Sequence, residues 1–430
     1  MSTPSENLRA IDFDAAGADW IPDQAGASEA IKQRKTGNKE NMSLYIETSW
    51  GSLNKHDEEL CGDMVETIKK GPDTFLVLAD GLGSGVKANI LASLTSKIVI
   101  TMLSAGTDVQ DVIETMASTL PVCKEREVAY STFSFIHING EGEAHIVEFD
   151  NPDVVIMRDG KALALPREEY SIDGKTIRET HLQLQPNDFC IAFSDGVVHA
   201  GVGKLLNLGW EHHNVVDYLE KGYRKDATAF SLQNLLLQAC NSLYMESPGD
   251  DTTVVVCKVR TPNVAYVMVG PPVSPEDDER LVRELLEFQG TKIVCGGTTS
   301  QIVGKISGKK LDIQLNYISP DVPPIGKMEG LDLVTEGVIT LGKCYEIMRR
   351  YESGTIGRDN ALNSKKDGAS LLAQILINKC TGAKFVVGRA INPAHQNPNL
   401  PISLNLKLRL VSDIADCLKR LGKNVDLEFY

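Results

Sequence analysis

The chain lacks several features that would place it in a specialised class of protein. Its nine cysteines include no Cys-x-x-Cys pair, and several lie inside apolar runs, which is typical of small buried residues rather than an iron or zinc cluster. No apolar run is expected to approach the roughly 18 to 20 residues of a bilayer span. About the first thirty residues also lack the apolar segment of a signal peptide. We therefore expect a cytoplasmic protein without a membrane partner.

The sequence also has fewer basic than acidic residues. The sequence has 44 Lys and Arg residues against 58 Asp and Glu residues, which gives a formal net charge of −14 at pH 7. A surface of this sign repels polyanions, so neither nucleic acid nor an anionic membrane is an expected partner. Hydrophobic residues at 42% and charged residues at 24% are near the globular average. These fractions exclude a mainly disordered, collagen-like or coiled-coil chain.

The length of 430 residues predicts more than one domain, because single cores stop growing beyond about 250 to 300 residues. Residues 1–41 show no sustained period and are predicted to be a flexible leader or tail; a short N-terminal hook is the alternative, and Met42 is a candidate native start. Residues 42–260 alternate strands, hairpins and helices, which predicts an α+β domain with antiparallel sheets. After Arg260-Thr261-Pro262, residues 261–430 follow a strand–helix–strand rhythm. This rhythm predicts a separate α/β domain.

Hydrophobic periodicity places the individual elements. In the first domain, a strand-like stretch is predicted to open at 42–48, and further strands are predicted at 74–79, 131–138, 144–149, 154–158, 190–194 and 252–259. Helices are predicted at 86–103, from the cap at 107–108 to before Pro121, at 215–220 and at 227–244. In the second domain, strands are predicted at 265–269, 292–295, 311–315, 331–334, 384–387 and 425–429, with helices at 276–288, 338–350, 368–377 and 404–421.

Four acidic turns in the first domain share one feature, which is a carboxylate at the start or end of an apolar strand. They are Gly62-Asp63, Asp80-Gly81, Asp195-Gly196 and Asp250-Asp251. Each Asp-Gly by itself is an ordinary turn sequence. If the strand ends converge, however, ionised carboxylates repel one another unless a cation compensates them, and hard oxygen ligands favour Mg²⁺ or Mn²⁺ over zinc. Jointly, the four turns predict a site for two divalent cations.

The acidic segments resemble, in order and spacing, the SpoIIE-like phosphatases of the metal-dependent, type 2C-like protein phosphatase family. The matching segments are 61–63, 79–88, 193–197 and 249–256, together with a hairpin at 151–160. The resemblance extends over residues 43–259. It implies a type 2C-like phosphatase β-sandwich flanked by helices in the first domain.

The resemblance also implies roles for individual residues. Asp80 would bridge two Mn²⁺ or Mg²⁺ ions, and the carbonyl of Gly81 would complete the second ion's shell. Asp195 and Asp250 would hold the first ion, Asp63 would contribute directly or through water, and Asp251 would support Asp250. The implied reaction is hydrolysis of phosphoserine or phosphothreonine by a metal-activated water, with a phosphoprotein substrate such as an anti-anti-sigma-like protein.

Two departures from the family pattern limit which residue roles the resemblance implies for this sequence. Leu82 stands where the family usually has Met, a volume-conserving change that should leave metal binding intact. The Ala-Gly-His part of the hairpin motif is replaced around Asn151, so substrate contacts there are not transferred. No arginine is assigned to phosphate binding.

A nucleotide-binding loop is a competing interpretation of the glycine-rich segment 81–85, with Lys87 on the phosphates. The Walker pattern requires Gly-Lys followed by Ser or Thr, whereas the sequence here is Val86-Lys87-Ala88. We expect Lys87 to be an exposed residue in the first helical turn.

The histidines are interpreted as solvated or individually satisfied residues because most are isolated in sequence. His199 follows Asp195-Gly196 and is a candidate to approach the site, where a general acid for the leaving group is plausible.

The second domain has no recognisable catalytic set. Its strongest feature is a strand that runs into glycines and hydroxyl residues, Gly296, Gly297, Thr298, Thr299 and Ser300, a turn able to present N–H groups and hydroxyls to a small anionic ligand. The alternative, which we favour, is a plain strand-to-helix turn with Thr or Ser as N-cap. The domain is interpreted as regulatory or docking.

Three functional hypotheses follow. The leading one is a Mn²⁺- or Mg²⁺-dependent serine/threonine protein phosphatase that is regulated by its C-terminal domain. The second is a non-catalytic signalling scaffold with a phosphatase fold, and the third is a hydrolase of small phosphate esters.

Overall fold

The structure, a computed structural model, describes residues 43–120, 131–172, 175–313, 321–353, 366–390 and 402–430. Residues 42–430 form one compact unit. The predicted tail at 1–41 lies outside the described residues, and so does the second half of the strand predicted at 311–315. Because residues 42–430 are not divided further, the domain boundary expected after residue 260 stays a prediction.

Eighteen strands are present in the described residues. They are β1 Tyr45–Leu53, β2 Asp63–Lys70, β3 Asp73–Asp80, β4 Thr132–Ile138, β5 Glu143–Phe149, β6 Val155–Arg158, β7 Lys161–Ala162, β8 Arg167–Ile172, β9 Lys175–Gln183, β10 Phe189–Phe193, β11 Thr252–Arg260, β12 Val264–Val269, β13 Thr291–Cys295, β14 Asp312–Ile313, β15 Gly326–Lys327, β16 Leu333–Thr335, β17 Gly382–Val387 and β18 Asn424–Phe429.

Ten α-helices accompany these strands in the same part of the chain. They are α1 Gly85–Leu103, α2 Val109–Thr119, α3 Asp195–Val198, α4 His212–Gly222, α5 Ala229–Leu243, α6 Glu276–Glu287, α7 Gly297–Ser307, α8 Val338–Glu352, α9 Gly368–Gln374 and α10 Ile402–Arg420, with a π-helical turn Ile375–Lys379 directly after α9.

The first eleven strands form two antiparallel sheets, one of five strands in the order β1-β11-β10-β6-β7 and one of six in the order β2-β3-β4-β5-β9-β8. A buried cluster that includes Ile46, Leu76 and Ile136 fills the space between them. Helices α1 and α2 cover the outer face of the six-stranded sheet, and α4 and α5 cover that of the five-stranded sheet. The expectation of an α+β sandwich flanked by helices is confirmed in these residues.

Strand β3 shows why the sandwich forms where it does. Six of its eight residues are buried in succession, which is unusual for an antiparallel strand with one wet face. Its side chains alternate between the sandwich core, with Leu76 and Leu78, and the helix-covered core, with Val77 and Ala79. Both faces are dry, so an uninterrupted apolar run is stable there.

Helix α1 corrects one sequence expectation. It has 19 residues and a mean hydropathy of 1.4, so by length and composition it is sufficient to cross a membrane. The helix contacts β2 and β3, and its inner face contributes Ala92, Val99 and Ile100 to the core beneath it. A core helix of a soluble protein has the same composition, so this finding is weak evidence for a span.

The last seven strands form a third sheet in the order β14-β15-β16-β13-β12-β17-β18, in which β16, β13, β12, β17 and β18 are mutually parallel. Numbered along the chain, the parallel strands have the order 3-2-1-4-5, which is a doubly wound arrangement with its switch point between β12 and β17. Separate apolar clusters lie on its two faces. The predicted strand–helix alternation of this half is confirmed as a sheet with helices on both sides.

A buried ion cluster lies between the sandwich and the third sheet. Arg260 Nη1 is 2.6 Å from Glu47 Oε2, and Lys423 Nζ is 3.7 Å from the same oxygen. Glu47 Oε1 accepts a hydrogen bond from the backbone N–H of Ala229 at 2.9 Å. Arg260 Nη2 also donates to the carbonyls of Asn378 and Lys379 in the π-helical turn. These contacts connect Arg260, at the predicted domain boundary, to the sandwich and to the elements around the third sheet.

Several elements differ from the sequence prediction. Strands β2, β8 and β9 were not predicted because their sequences are polar; β8 lies at a sheet edge, where polar side chains face water. The glycine and hydroxyl segment begins helix α7, and its N-cap is Gly296 at a φ of 133° rather than Thr or Ser. A positive φ of this kind is accessible to glycine, so the favoured N-cap assignment is wrong.

Candidate active site

The four predicted carboxylates meet at one end of the sandwich. Asp63 begins β2 and lies directly opposite Asp80, which ends β3. Asp195 begins α3 immediately after β10, and Asp250 precedes β11 in the other sheet. The antiparallel order of each sheet brings these strand ends to the same edge.

Burial and mutual repulsion disfavour the ionised form of this cluster. Burial, followed by the charges of Asp63, Asp195 and Asp250, raises the pKa of Asp80 far above the usual range of a carboxyl. Burial also raises the pKa of Asp63, and of Asp250 to a lesser extent. Several carboxylates that raise one another's pKa are stable in ionised form only when a cation offsets their charge.

The donor set fits hard divalent cations. Both carboxylate oxygens of Asp63 and one of Asp251 are buried and accept no hydrogen bond of normal geometry, although the hydroxyls of Ser194 and Thr253 lie near enough to Asp63 to moderate its pKa. Unpaired buried oxygens of this kind are costly unless a further ligand satisfies them. Mg²⁺ and Mn²⁺ take oxygen ligands of this type.

Two glycines allow the close packing around the acidic cluster. A Cβ on Gly81 would lie 2.0 Å from the carbonyl oxygen of Ala88 in α1, and a Cβ on Gly196 would lie 2.1 Å from the carbonyl oxygen of Asp251. The N–H of Gly81 donates to the carbonyl of Gly62 at 3.1 Å. Any larger residue would force apart the elements that position Asp80 and Asp195.

The loop at 54–62 contributes residues that sequence reasoning missed. Lys55 Nζ lies 3.9 Å from Asp250 Oδ1, and the backbone N–H of Lys55 donates to Asp251 Oδ1 at 3.0 Å. Glu58 accepts a hydrogen bond from Ser84 Oγ at 3.0 Å, immediately before α1. The loop has no periodic pattern, so nothing in the sequence marks Lys55 or Glu58 as neighbours of the site.

His199 and Lys87 lie where the sequence suggested. His199 follows α3, and its Nδ1 is 3.7 Å from Asp195 Oδ2, with more than half of the side chain exposed. Lys87 is exposed in the first turn of α1, as expected for a helical surface residue. The structure therefore gives no support to a nucleotide loop at 81–85.

Residues 70–260 match the family described as Stage II sporulation protein E (SpoIIE). Residues 70–260 therefore form a SpoIIE-like domain. The matched range contains Asp80, Asp195 and Asp250, and it begins after Asp63.

Three solved structures of other proteins are similar to part of this chain. The type 2C phosphatase domain of SpoIIE from Bacillus subtilis, with a fragment of its regulatory domain, is 20% identical over 51% of this chain and 63% of that chain, with a TM-score of 0.43. The chain thus spans less than two thirds of that structure. The RsbU and RsbW domains of a Mycobacterium tuberculosis protein are 16% identical over 57% of this chain and 69% of that chain, with a TM-score of 0.41. RsbX in complex with magnesium is 19% identical over 50% of this chain and 98% of that chain, with a TM-score of 0.36. A comparison with curated proteins gave no match.

Outside the SpoIIE-like domain, the predicted ligand residues lie at the carboxyl edge of the parallel sheet. Gly296 connects β13 to α7, and residues 297–300 form the first turn of that helix, one strand away from the switch point. Thr298 is exposed, whereas Thr299 is fully buried and its hydroxyl has no hydrogen-bond partner. Lys407, which sequence reasoning missed, donates from Nζ to the carbonyl of Gly388 after β17. Burial lowers the pKa of Lys407.

Proposed function

We propose that the protein is a Mn²⁺- or Mg²⁺-dependent serine/threonine phosphatase that hydrolyses phosphoserine or phosphothreonine in a protein substrate. The convergence of Asp63, Asp80, Asp195 and Asp250 at one edge of a SpoIIE-like domain carries this proposal. Four intact carboxylates in one cluster argue against a purely non-catalytic scaffold.

Each acidic residue has a proposed role in holding two ions. Asp80 would bridge them, with help from the carbonyl of Gly81, while Asp195 and Asp250 would hold one ion and Asp63 would complete the set. When bound, the ions supply Lewis-acid activation of a water and neutralise charge on the phosphoryl oxygens. The carboxylates do not attack phosphorus, so no covalent enzyme intermediate is expected.

Two neighbours of the acidic cluster have proposed supporting roles. In the described part of the chain, Lys55 is the only lysine or arginine whose side-chain nitrogen lies within 4 Å of one of the four carboxylates. Its ammonium group would orient an anionic phosphoryl group at the rim of the acidic cluster. His199 is exposed beside Asp195, where its ring can hold a proton for the departing serine or threonine oxygen.

We propose a phosphoprotein partner, such as an anti-anti-sigma-like protein. The net charge of −14 disfavours polyanionic partners. The structurally similar RsbU and RsbW domains come from a protein that combines both domains in one chain.

The deciding experiment compares substrates on the full chain. With Mn²⁺ or Mg²⁺ present, we expect release of phosphate from phosphoserine and phosphothreonine peptides, and loss of that release in EDTA. Faster turnover of small phosphate esters than of any phosphopeptide would favour the metabolite hydrolase. No release from either class with either metal would favour the scaffold and contradict the proposal.

We also propose that a small anionic ligand binds the C-terminal half and modulates the phosphatase. The unpaired hydroxyl of Thr299, the N-terminus of α7 and the ammonium group of Lys407 all lie at the carboxyl edge of the parallel sheet. In doubly wound sheets this edge is the usual ligand position. Modulation requires the ligand to bind two states of the protein with different affinity.

Thermal shift on the full chain tests this ligand site. In metal-free buffer, inorganic phosphate or a nucleoside diphosphate at about a hundredfold excess over its dissociation constant should stabilise the protein by about 2.7 kcal/mol. Thr299→Val and Lys407→Met should each reduce the shift, whereas Lys343→Met, at an exposed lysine of α8, should not. Equal shifts in all four proteins would contradict a site at this edge.

A further inference from the structure

Three histidines that are far apart in sequence form one row across the six-stranded sheet. His137 of β4 lies opposite His145 of β5, and His145 lies opposite His181 of β9. The rings of His145 and His181 are stacked with their centroids 4.3 Å apart. His137 and His145 are each paired with a carboxylate and His181 is largely exposed, as the interpretation of satisfied or solvated residues expected. Their isolation in sequence nevertheless does not extend to the fold, because strand register brings them together.

Glu179 completes a compact group with the last two histidines. Its Oε1 is 2.5 Å from His145 Nε2 and 3.7 Å from His181 Nε2. The nearest ligand atoms of the three residues all lie within 4.8 Å of one another. A tetrahedral zinc ion with bonds of about 2.0 to 2.1 Å places its ligand atoms about 3.4 Å apart. The two spacings to Glu179 bracket this value, and the spacing between the two histidine nitrogens is at most 4.8 Å, so the closure required there is at most about 1.4 Å.

Neighbouring side chains fix the positions of His145 and Glu179 on one side, and the other side of the group is open to solvent. Tyr170 donates a hydrogen bond to the second carboxylate oxygen of Glu179 at 3.0 Å, which orients that carboxylate. The ring of Phe135 meets that of His145 edge to face. His137, His145 and His181 also line an open depression in the surface. A bound ion would therefore keep a position accessible to solvent or to a further ligand.

We propose that His145, Glu179 and His181 bind a borderline transition-metal ion, with Zn²⁺ as the best match. Two imidazole nitrogens and one carboxylate oxygen suit Zn²⁺, whereas Mg²⁺ and Mn²⁺ favour sites made of oxygen ligands. The site uses none of the residues assigned to the phosphatase reaction, and it does not depend on that assignment.

The histidine site lies at the other end of the sheet from the acidic cluster. His137, the neighbour of His145 in the row, is opposite Phe75 near the start of β3, whereas Asp80 ends that strand. Five residues of extended chain separate these positions by about 16 Å. The two sites can therefore be filled independently by different metals.

Isothermal titration of the full chain with Zn²⁺ tests the proposal. Millimolar Mg²⁺ is kept present to compete at the acidic cluster. We expect one zinc site in the wild type, and at least about tenfold weaker binding in His181→Gln and in Glu179→Gln. His181 is largely exposed, so its replacement should not disturb folding. Zinc should also shift the imidazole nitrogen resonances of His145 and His181 in the nuclear magnetic resonance spectrum.

His213→Gln provides the matched control. His213 is exposed on α4, and its Nδ1 lies 3.8 Å from Glu211 Oε2, so it forms a histidine–glutamate pair that belongs to no three-ligand group in the described residues. This variant should bind zinc as the wild type does. Wild-type zinc affinity in His181→Gln would overturn the proposal, and so would zinc binding that is lost in Asp80→Asn but kept in His181→Gln.

Discussion

Replacing Asp80 with asparagine is expected to lower metal-dependent phosphatase turnover by about a hundredfold or more, because an electrostatic contact at the reacting centre is lost. The same change should raise the stability of the metal-free protein. Asp80 is a buried carboxyl surrounded by Asp63, Asp195 and Asp250, which together with burial raise its pKa. Without metal this carboxyl must either ionise beside like charges or take up a proton, and asparagine avoids both costs. The change should therefore add on the order of 2 kcal/mol to the free energy of unfolding in metal-free buffer at neutral pH.

Opposite effects on turnover and on stability distinguish loss of the metal site from loss of the fold. Turnover is measured on a phosphopeptide with saturating Mn²⁺, and unfolding is followed in denaturant with EDTA present. Asp217→Asn is the control, because Asp217 is exposed on α4 and pairs weakly with Lys221. If Asp80→Asn keeps wild-type turnover with Mn²⁺, the assignment of this carboxylate is wrong.

Glu47→Gln is expected to destabilise the protein by about 3 to 5 kcal/mol, which is the usual effect of breaking a buried ion pair from one side. Glu47 is almost fully buried and faces both Arg260 and Lys423. The amide cannot offset two buried cations, and it leaves them without a counter-charge. Denaturant unfolding of the full chain measures this loss.

The pH dependence of stability gives a second readout for Glu47. Burial alone would raise its pKa, but Lys423 and Arg260 outweigh burial, and the pKa of Glu47 lies below its usual value of 4.5. The stabilisation is therefore complete above about pH 4.5 and is lost as the pH falls through the lower folded-state pKa. Glu47→Gln should lack this part of the acid transition.

An exposed ion pair provides the comparison for Glu47. Glu346 lies 3.0 Å from Lys343 on the surface of α8, and pairs of this kind contribute about 1 kcal/mol or less. Glu346→Gln should therefore change stability little. A loss for Glu47→Gln as small as that for Glu346→Gln would show that the buried cluster does not hold the two halves together.

Much of the secondary structure follows from local patterns in the sequence. The apolar run before Asp80 and the Asp108 cap of α2 both lie where predicted, and Asp108 accepts the expected hydrogen bond from the N–H of Gln110. Such features depend on residues within a few positions of one another. Their side-chain chemistry restricts the backbone before any long-range contact forms.

The acidic site was predicted only in part from local sequence. Four Asp-containing turns at strand ends indicate metal ligands, because carboxylates beside apolar strands reach the edge of a sheet. The sequence gives no comparable sign of Lys55, whose loop reaches Asp250 and Asp251 from almost 200 residues away. Contacts of that separation depend on how the sheets stack.

The sequence by itself therefore determined the apolar strands and helices, the acidic turns between them and the sign of the surface charge. Only the tertiary structure decided which distant residues became neighbours. The histidine row shows the physical reason, since His145 and His181 meet through the antiparallel register of β5 and β9. A shift of one residue in that register would turn the side chains of one strand to the opposite face of the sheet.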